Sequence, residues 1–449
     1  MDGKQSPVAP KQLLSVTDGV FLTIGMVVGV GIFKLPSMIA GNTSSVAEFL
    51  FAWALGGAVS LCGALVYAEL AARHPETGGE YTFLAHGLGR GAAFLFAWSR
   101  MTVIQTGAIV AVAFAFGDYA SEIVRLGGNS TAIWAAISVV ALTALNVAGT
   151  AQSKTLQKMM EIALIGALVV LAIGALFVGG TPKPAPAGSA GPGFGLAMVF
   201  VLFAFGGWNE AAYLSGEVRD ARRNMRRILV IGIVAVTALY LLVNVGYVLA
   251  LGLGGMRESK AVAADVMRLV SGEKGVVLLA LVVCVSALTT MNAAVFTGAR
   301  TNWAMGRDFR LFAFLGDWRE AGSTPANALL LQGVVMLVLV AAGSMTPDGF
   351  SAMVAYTAPV FWTFFLLTGI TLFVFRARGG EAPAVRVPLH PLVTIVFCVM
   401  CAYMLYSSID YIRNPHFGPK FGNMVLAGLV VMALGIPLYF LAKRKQAAA

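Results

Sequence analysis

The chain consists mainly of apolar runs about 20 residues long, which recur from near Thr17 to near Lys443. A helix of roughly 20 apolar residues is long enough to cross the hydrocarbon core of a bilayer. Of the 449 residues, 58% are hydrophobic and only 12% are charged. A water-soluble fold has too little interior for so much apolar surface. The sequence therefore predicts an all-α integral membrane protein without a separate soluble domain.

Twelve transmembrane helices are predicted, at 17–39, 46–72, 89–118, 131–150, 157–179, 193–215, 226–251, 275–304, 325–342, 349–375, 388–412 and 422–443. An even number of spans places both termini on one side of the membrane. The loops on that side carry most of the lysines and arginines, and such loops are cytoplasmic in membrane proteins. We therefore expect a multi-pass protein of the cell membrane with cytoplasmic tails at 1–16 and 444–449. The short loops are typical of a protein of the prokaryotic inner membrane.

The polar composition excludes several classes of protein. The net charge of +10 comes from short loops between apolar runs, so it indicates topology rather than nucleic-acid binding. The four histidines lie at helix ends or in loops, where they could not form the paired haem ligands of a membrane electron carrier. Neither a metalloprotease H-E-x-x-H nor a P-loop is present. We expect no enzyme, no ATP-driven pump and no cofactor.

Four cysteines lie inside apolar runs, at positions 62, 284, 398 and 401. The last two form a C-x-x-C, but at membrane depth and without further metal-binding residues nearby. We interpret the cysteines as small packing residues and predict no metal site.

Two of the predicted spans contain sequences that favour a break in the helix. Gly25 to Phe33 has three glycines and is followed by Pro36, and Phe203 to Glu210 has two adjacent glycines before Asn209. Glycine destabilises a helix interior, and non-helical backbone at membrane depth is tolerated where it lines a cavity or is buried in protein. A half-helix N-terminus attracts a carboxylate, and the carbonyls at a half-helix C-terminus attract a cation. The alternative is that these glycines only allow close helix packing.

These motifs resemble those of the amino acid–polyamine–organocation superfamily, close to the L-type amino acid transporters and their bacterial relatives. The segment 29–33, Gly-Val-Gly-Ile-Phe, is similar to the family's G-S/T-G-I-F in helix 1. The segment 203–209, Phe-Ala-Phe-Gly-Gly-Trp-Asn, is similar to its F-A-Y-G-G-W-N in helix 6. The segments 67–70, 78–81 and 324–328 match further family motifs in the correct order.

The resemblance implies the LeuT-type fold, in which two inverted five-helix repeats are followed by two more helices. Here the repeats would be 17–179 and 193–375, with helices 11 and 12 at 388–443 and breaks in helices 1 and 6. Broken spans at matching positions of two repeats are typical of a transporter substrate site at the bilayer midplane.

The resemblance also implies the residues of an amino acid site. Amides around Gly29, Val30 and Gly31, next to Ile32, would hold the substrate carboxylate, and carbonyls around Val27 and the helix 6 break would hold its ammonium group. Phe203 would close over the substrate from outside. The further positions implied by the helix 6 motif are Ala204, Phe205, Gly206, Gly207 and Asn209.

The sequence departs from the family pattern in ways that bear on coupling and partners. Val30 replaces a common Ser or Thr, Glu210 stands where many relatives have a neutral residue, and 159–178 lacks the lysine often found in helix 5. The coupling mode is therefore left open. The loop at 117–131 has no cysteine, so we expect no disulfide-linked heavy chain. We also expect a monomeric protein.

Several polar residues at membrane depth are candidates for coupling or specificity, because ionisable groups there are costly. Glu210 would recognise a cationic substrate or carry a proton, or would only complement a half-helix dipole behind an Asn209 cap. Arg100 and Glu161 would pair as a gate, or would extend separately towards the interface. Thr289 and Thr290 would bind sodium, or would bond back to their own helix.

The function predicted from these features is alternating-access transport of amino acids by sodium-independent exchange, with neutral amino acids as the preferred substrates. The alternative is a proton- or sodium-coupled carrier of cationic amino acids or polyamines. The expected partners are an amino acid substrate and the lipid bilayer.

Overall fold

The computed structural model describes the residues 14–74, 79–149, 154–178, 182–183, 193–210, 218–319, 324–379, 383, 385–410 and 418–447. These residues form α-helices with short 3₁₀ and π segments, and two isolated β-bridges join Leu14 to Val218 and Arg319 to Thr324. The predicted all-helical class is confirmed for this part of the chain.

Fifteen α-helices occur in the described residues. They are α1 (Val16–Val27), α2 (Gly31–Gly41), α3 (Val46–Arg73), α4 (Gly79–Gly87), α5 (Arg90–Ser99), α6 (Gln105–Ile123), α7 (Ser130–Ala148), α8 (Lys154–Phe177), α9 (Phe194–Ala204), α10 (Ala221–Glu258), α11 (Val262–Asp308), α12 (Ala326–Ser344), α13 (Gly349–Arg378), α14 (Leu392–Asp410) and α15 (Gly418–Ala447). Side-chain caps define several starts: Ser15, Ser45 and Asp348 each accept a hydrogen bond from a backbone amide of the first turn.

Nine helical segments in the described part of the chain are long and apolar enough to cross a membrane, and the bent pair α1–α2 would make a tenth. The predicted fifth and sixth spans correspond to shorter apolar helices, Ile162–Phe177 and Phe194–Ala204. The chain is thus a multi-pass helical membrane protein, and the count of twelve stays a prediction.

Three local features were not predicted. The span at 90–123 contains a π-turn at Arg100–Ile104, in which the Gln105 amide bonds to the Arg100 carbonyl. Helix α4 follows α3, where no helix was expected. Gly252 and Gly272 kink α10 and α11 because both have a φ of 67°, which glycine adopts readily. The part of α11 before Gly272 is a short helix that begins at Val262, and a 3₁₀ turn, Arg310–Leu315, follows α11.

The helix ends form two polar faces, which we name after one residue each. The Leu14 face includes Leu14, bridged to Val218, and a buried cluster in which Glu69 binds Arg376 and Arg73 at 2.5 and 2.9 Å. The Lys34 face lies at the opposite side of the helical bundle from the Leu14 face. It includes the C-terminus of α2, where the Ala40 carbonyl accepts a hydrogen bond from Arg257 at 2.9 Å.

Candidate functional site

The chain leaves the helical conformation between α1 and α2. Helix α1 ends at Val27, Val28 has non-helical backbone angles, and α2 begins at Gly31 at an angle of 51° to α1. The Gly29 amide bonds to the Val27 carbonyl at 2.9 Å. The amides of Gly31 and Ile32 belong to the first turn of α2, where an α-helix leaves its amides without intrahelical partners. An anion at this point would meet these donors and the positive end of the α2 dipole.

The second departure from helical structure follows α9. The helix ends at Ala204, residues 205–207 form a turn, and 208–210 form a 3₁₀ turn. The Gly206 amide bonds to the Phe203 carbonyl at 3.0 Å. The continuation at 211–217 lies outside the described residues, so the predicted second half of helix 6 is not described.

The two departures lie against each other. A Cβ atom built on Gly207, whose φ is 107°, would lie 2.2 Å from the Met26 carbonyl oxygen. A Cβ on Gly31 would lie 3.5 Å from the Ala204 Cα. Only glycine at position 207 allows this approach, since both the space and the backbone angle exclude a side chain. A Cβ on Gly29, by contrast, would meet no atom within 4 Å.

Tyr240 of α10 bridges the two helix ends. Its hydroxyl lies 2.9 Å from the Val27 carbonyl and 3.2 Å from the Ala204 carbonyl, and the side chain is fully buried. These carbonyls close α1 and α9, and both were predicted to contact a substrate ammonium group. The sequence analysis did not identify Tyr240, although an aromatic residue with a polar tip in an aliphatic run was a visible signal.

The aromatic residues of the helix 6 motif have different environments. Phe203 is half-buried and packs edge-on against Phe350 of α13, with ring centroids 6.0 Å apart. Phe205 is fully buried and faces Trp53 and Tyr240 at 6.2 and 5.2 Å. Phe203 can therefore cover the space between the breaks, while Phe205 packs in the core between α3 and α10.

Asn209 and Glu210 each have a side-chain partner. The Asn209 amide donates to the buried Glu80 carboxylate at 2.8 Å, which also accepts from Tyr67. Both Glu210 oxygens lie 3.1 Å from one Arg100 guanidinium nitrogen. Arg100 is buried at the π-turn, whereas the Glu210 side chain is 37% exposed. The arginine predicted to pair with Glu161 therefore binds Glu210, and the Glu161 side chain lies outside the described residues.

The threonine pair of α11, Thr289 and Thr290, was a candidate for sodium binding. Thr289 donates to the Val285 carbonyl of its own helix at 2.9 Å. Among the described residues, neither Thr289 nor Thr290 bonds to residues 27–31. No three His, Cys, Asp or Glu side chains in that same set are grouped so that they could hold a metal ion.

Lys34 of α2 forms a charged network that the sequence analysis missed. Its ammonium group lies 2.7 Å from Asp118 of α6 and 3.5 Å from Asp348, which caps α13. Asp118 also accepts from Thr131 of α7. The network joins four helices at the Lys34 face, above the contact between Phe203 and Phe350. The sequence does indicate such a network, because a lysine inside the predicted span 17–39 is costly at membrane depth unless it is paired.

Comparison with known proteins gives one family match over most of the chain. The family model described as amino acid permease matches residues 14–434. This range contains both departures from helical structure and every predicted site residue.

Named relatives align with nearly the whole chain. The mouse b(0,+)-type amino acid transporter 1 is 28% identical over 435 residues, which cover 93% of this chain and 86% of the relative. The mouse Asc-type amino acid transporter 1 is 27% identical, with coverage of 97% and 82%. The serine/threonine exchanger SteT of Bacillus subtilis is 26% identical, and 95% of each chain is covered.

Proposed function

Because the chain belongs to the amino acid permease family, whose members are membrane transporters and not enzymes, we propose that it exchanges neutral amino acids across the cell membrane by alternating access. The observation that carries this proposal is the family match over 14–434 combined with the apposition of the two departures from helical structure, after α1 and after α9. The relative named as a serine/threonine exchanger supports small neutral substrates and exchange.

The proposed substrate site is the space beside Gly29, between the ends of α1 and α9 and the start of α2. The first amides of α2 bind the substrate carboxylate, and the carbonyls of Val27 and Ala204 lie within reach of the ammonium group. A zwitterion complements this pairing of helix ends. Tyr240 positions both carbonyls, and Phe203 covers the site towards the Lys34 face.

We further propose twelve spans, the LeuT-type repeats at 17–179 and 193–375, and a cytoplasmic Leu14 face in a prokaryotic inner membrane. The excess of basic residues in the loops of that face supports this orientation. The protein is a monomer without a disulfide-linked heavy chain.

Coupling without sodium is supported by the side-chain contacts of α11. Thr289 uses its hydroxyl on the Val285 carbonyl of its own helix. A second candidate function is transport of cationic amino acids. The specific observation in its favour is Glu210, an acid 37% exposed in the segment that follows the α9 break.

The experiment is uptake of labelled amino acids into proteoliposomes, with and without unlabelled amino acid inside. Exchange predicts saturable uptake that needs internal substrate and is unchanged by imposed sodium or proton gradients. Vesicles that contain the Gly207→Leu variant are the matched control. Uptake driven by a gradient without internal substrate would contradict exchange, and uptake of arginine or lysine alone would favour the second candidate. Failure of every amino acid to enter would overturn the proposal.

A further inference from the structure

Four arginines from two separate parts of the chain line one cavity at the Leu14 face. Arg223, Arg226 and Arg227 come from the first turns of α10, and Arg386 comes from the segment between α13 and α14. The cavity measures about 470 Å³, and its other lining residues are Asp220, Asn224 and Val385.

Basic residues predominate among the described residues that line this cavity. Asp220 is the acid among them, and it lies 3.9 Å from Arg223 in an exposed pair. Exposed pairs of this kind contribute little. The preference for basic residues in cytoplasmic loops explains that arginines occur here. All four arginines are exposed, and an anion among them would lower their mutual repulsion.

The helix adds to the positive potential of the cavity. Helix α10 begins at Ala221, and the side chain of its N-cap residue Asp220 makes no hydrogen bond to the first amides. The N-terminus of a helix carries a partial positive charge and free amide donors, both of which favour an anion. Guanidinium groups bind phosphate oxygens in a bidentate manner.

The position of the cavity relative to the membrane favours a lipid as its ligand. Towards the other membrane surface, α10 continues with the exposed apolar residues Ile231 and Val234, 50% and 53% accessible. Beyond Arg386, the chain continues with Leu389 and Leu392, 76% and 59% accessible. Such surfaces face acyl chains in a membrane protein, so the arginines lie at the level of the headgroups.

We propose that this arginine cavity binds the phosphate of an anionic phospholipid headgroup. Basic pockets between transmembrane helices are suited to such headgroups. The inference does not depend on the transported substrate, and its test needs no transport assay.

The experiment is native mass spectrometry of the full chain in detergent with added phosphatidylglycerol or phosphatidylcholine, together with thermal unfolding in the same lipids. Arg226→Gln with Arg386→Gln removes one arginine from each wall of the cavity. Arg310→Gln with Arg319→Gln removes the same charge from exposed positions outside it. We expect phosphatidylglycerol to bind the cavity variant at least about tenfold more weakly than the wild type, because two charge-assisted hydrogen bonds are lost.

The control pair should bind phosphatidylglycerol like the wild type, and melting temperatures in phosphatidylcholine should be equal for all three proteins. If the double cavity variant does not fold, each single substitution is expected to lose part of the binding. Equal binding by the wild type and the cavity variants would overturn the proposal, as would an equal loss in the control pair. Stabilisation by inorganic phosphate alone that needs the same arginines would assign the cavity to a soluble anion and overturn the assignment to a lipid.

Discussion

At the scale of single residues, the two break glycines differ in what a side chain would meet. Gly207 has a φ of 107°, and its Cβ would lie 2.2 Å from the Met26 carbonyl oxygen, whereas a Cβ on Gly29 meets open space. Gly207→Ala is expected to abolish substrate binding, because a left-handed backbone costs roughly 1–2 kcal/mol for a residue with a Cβ and the helix ends must separate. Gly29→Ala should retain binding, and Gly29→Leu should lose it by filling the site.

Ligand-induced thermal stabilisation by a panel of neutral amino acids measures this difference. Equal stabilisation of the Gly207→Ala variant and the wild type would contradict the role assigned to the contact between the breaks.

Tyr240 and Tyr247 offer a matched pair on one helix. Both are fully buried in α10, but the Tyr247 hydroxyl has no hydrogen-bond partner among the described residues, while the Tyr240 hydroxyl reaches two carbonyls. Tyr240→Phe removes the hydroxyl donor of the two carbonyls, and although the Val27 carbonyl keeps the Gly29 amide, loss of a buried hydrogen bond costs about 0.5–1.5 kcal/mol. We expect a lower melting temperature and weaker substrate binding for this variant. Tyr247→Phe should be neutral or stabilising in both measurements. If Tyr247→Phe lowered the melting temperature and substrate binding more than Tyr240→Phe, Tyr240 would have no role in the site.

The predictability of the site at this scale follows from what each residue needs locally. Gly207 could be predicted because its positive φ and its close approach to Met26 demand a residue without a side chain. The structure makes no such demand at Gly29, where a Cβ meets open space. The polar tip of Tyr240 was a visible signal, but its partners could not be predicted, since they depend on α10 lying across two helix ends that are far away in the chain. The partner of Arg100 was left open between Glu161 and solvent for the same reason, and the observed contact is with Glu210.

At the scale of helices, the pair between Arg100 and Glu210 joins the span 90–123 to the segment after α9. Glu210→Gln removes a counter-charge from a buried guanidinium. The cost should stay below the ~3–5 kcal/mol of a fully buried pair, because Glu210 is 37% exposed. We expect transport to fall in Glu210→Gln and in Arg100→Gln. The charge-exchanged double variant Arg100→Glu with Glu210→Arg should regain part of it in proteoliposome uptake. Full activity of both single variants would show that the pair is dispensable.

The Lys34 network is expected to hold the Lys34 face closed. Lys34→Met removes the cation between Asp118 and Asp348, which then repel each other and free α2 from α6 and α13. Spin labels at Ser44 and Met345 should report a larger population of long distances in this variant. Lys183→Met is the control, because its pair with Glu258 on the same face is exposed on both sides and contributes little. Unchanged distances in Lys34→Met would exclude a gating role.

Long helices could be predicted because a run of apolar residues needs no partner to be recognised. The features that were missed depend on contacts. Gly252 bends α10 where a Cβ would lie 2.5 Å from the Lys183 carbonyl oxygen, and α4 is short and polar at its start. The π-turn at Arg100–Ile104 has no signature in the composition of its segment, because it differs from an α-helix only in the hydrogen-bond register.

At the scale of the whole molecule, the distribution of basic loops makes a prediction about orientation. We expect the Leu14 face to be cytoplasmic. Single cysteines at Arg310 and Lys183, in a background without Cys62, Cys284, Cys398 and Cys401, test it in intact cells. A membrane-impermeant maleimide should label position 183 and leave position 310 unlabelled until the cells are opened. The opposite labelling pattern would show that the Lys34 face is cytoplasmic and the Leu14 face is external.

The span 90–123 takes part in two charged networks, through Arg100 and Asp118, and the π-turn at Arg100–Ile104 lies on the stretch of helix that joins them. A π-turn holds one residue more than a turn of α-helix, so it accommodates an extra residue locally, whereas an extra residue in a regular α-helix rotates everything after it by about 100°. Arg100 opens this turn, and Asp118 follows it in α6. Deletion of one residue inside the turn should therefore leave an ordinary α-helix in which Arg100 still meets Glu210 and Asp118 still meets Lys34. An insertion in the regular part of α6 before Asp118 would instead turn Asp118 away from Lys34 by about 100°, so the span tolerates a change of length at this one turn and not beyond it.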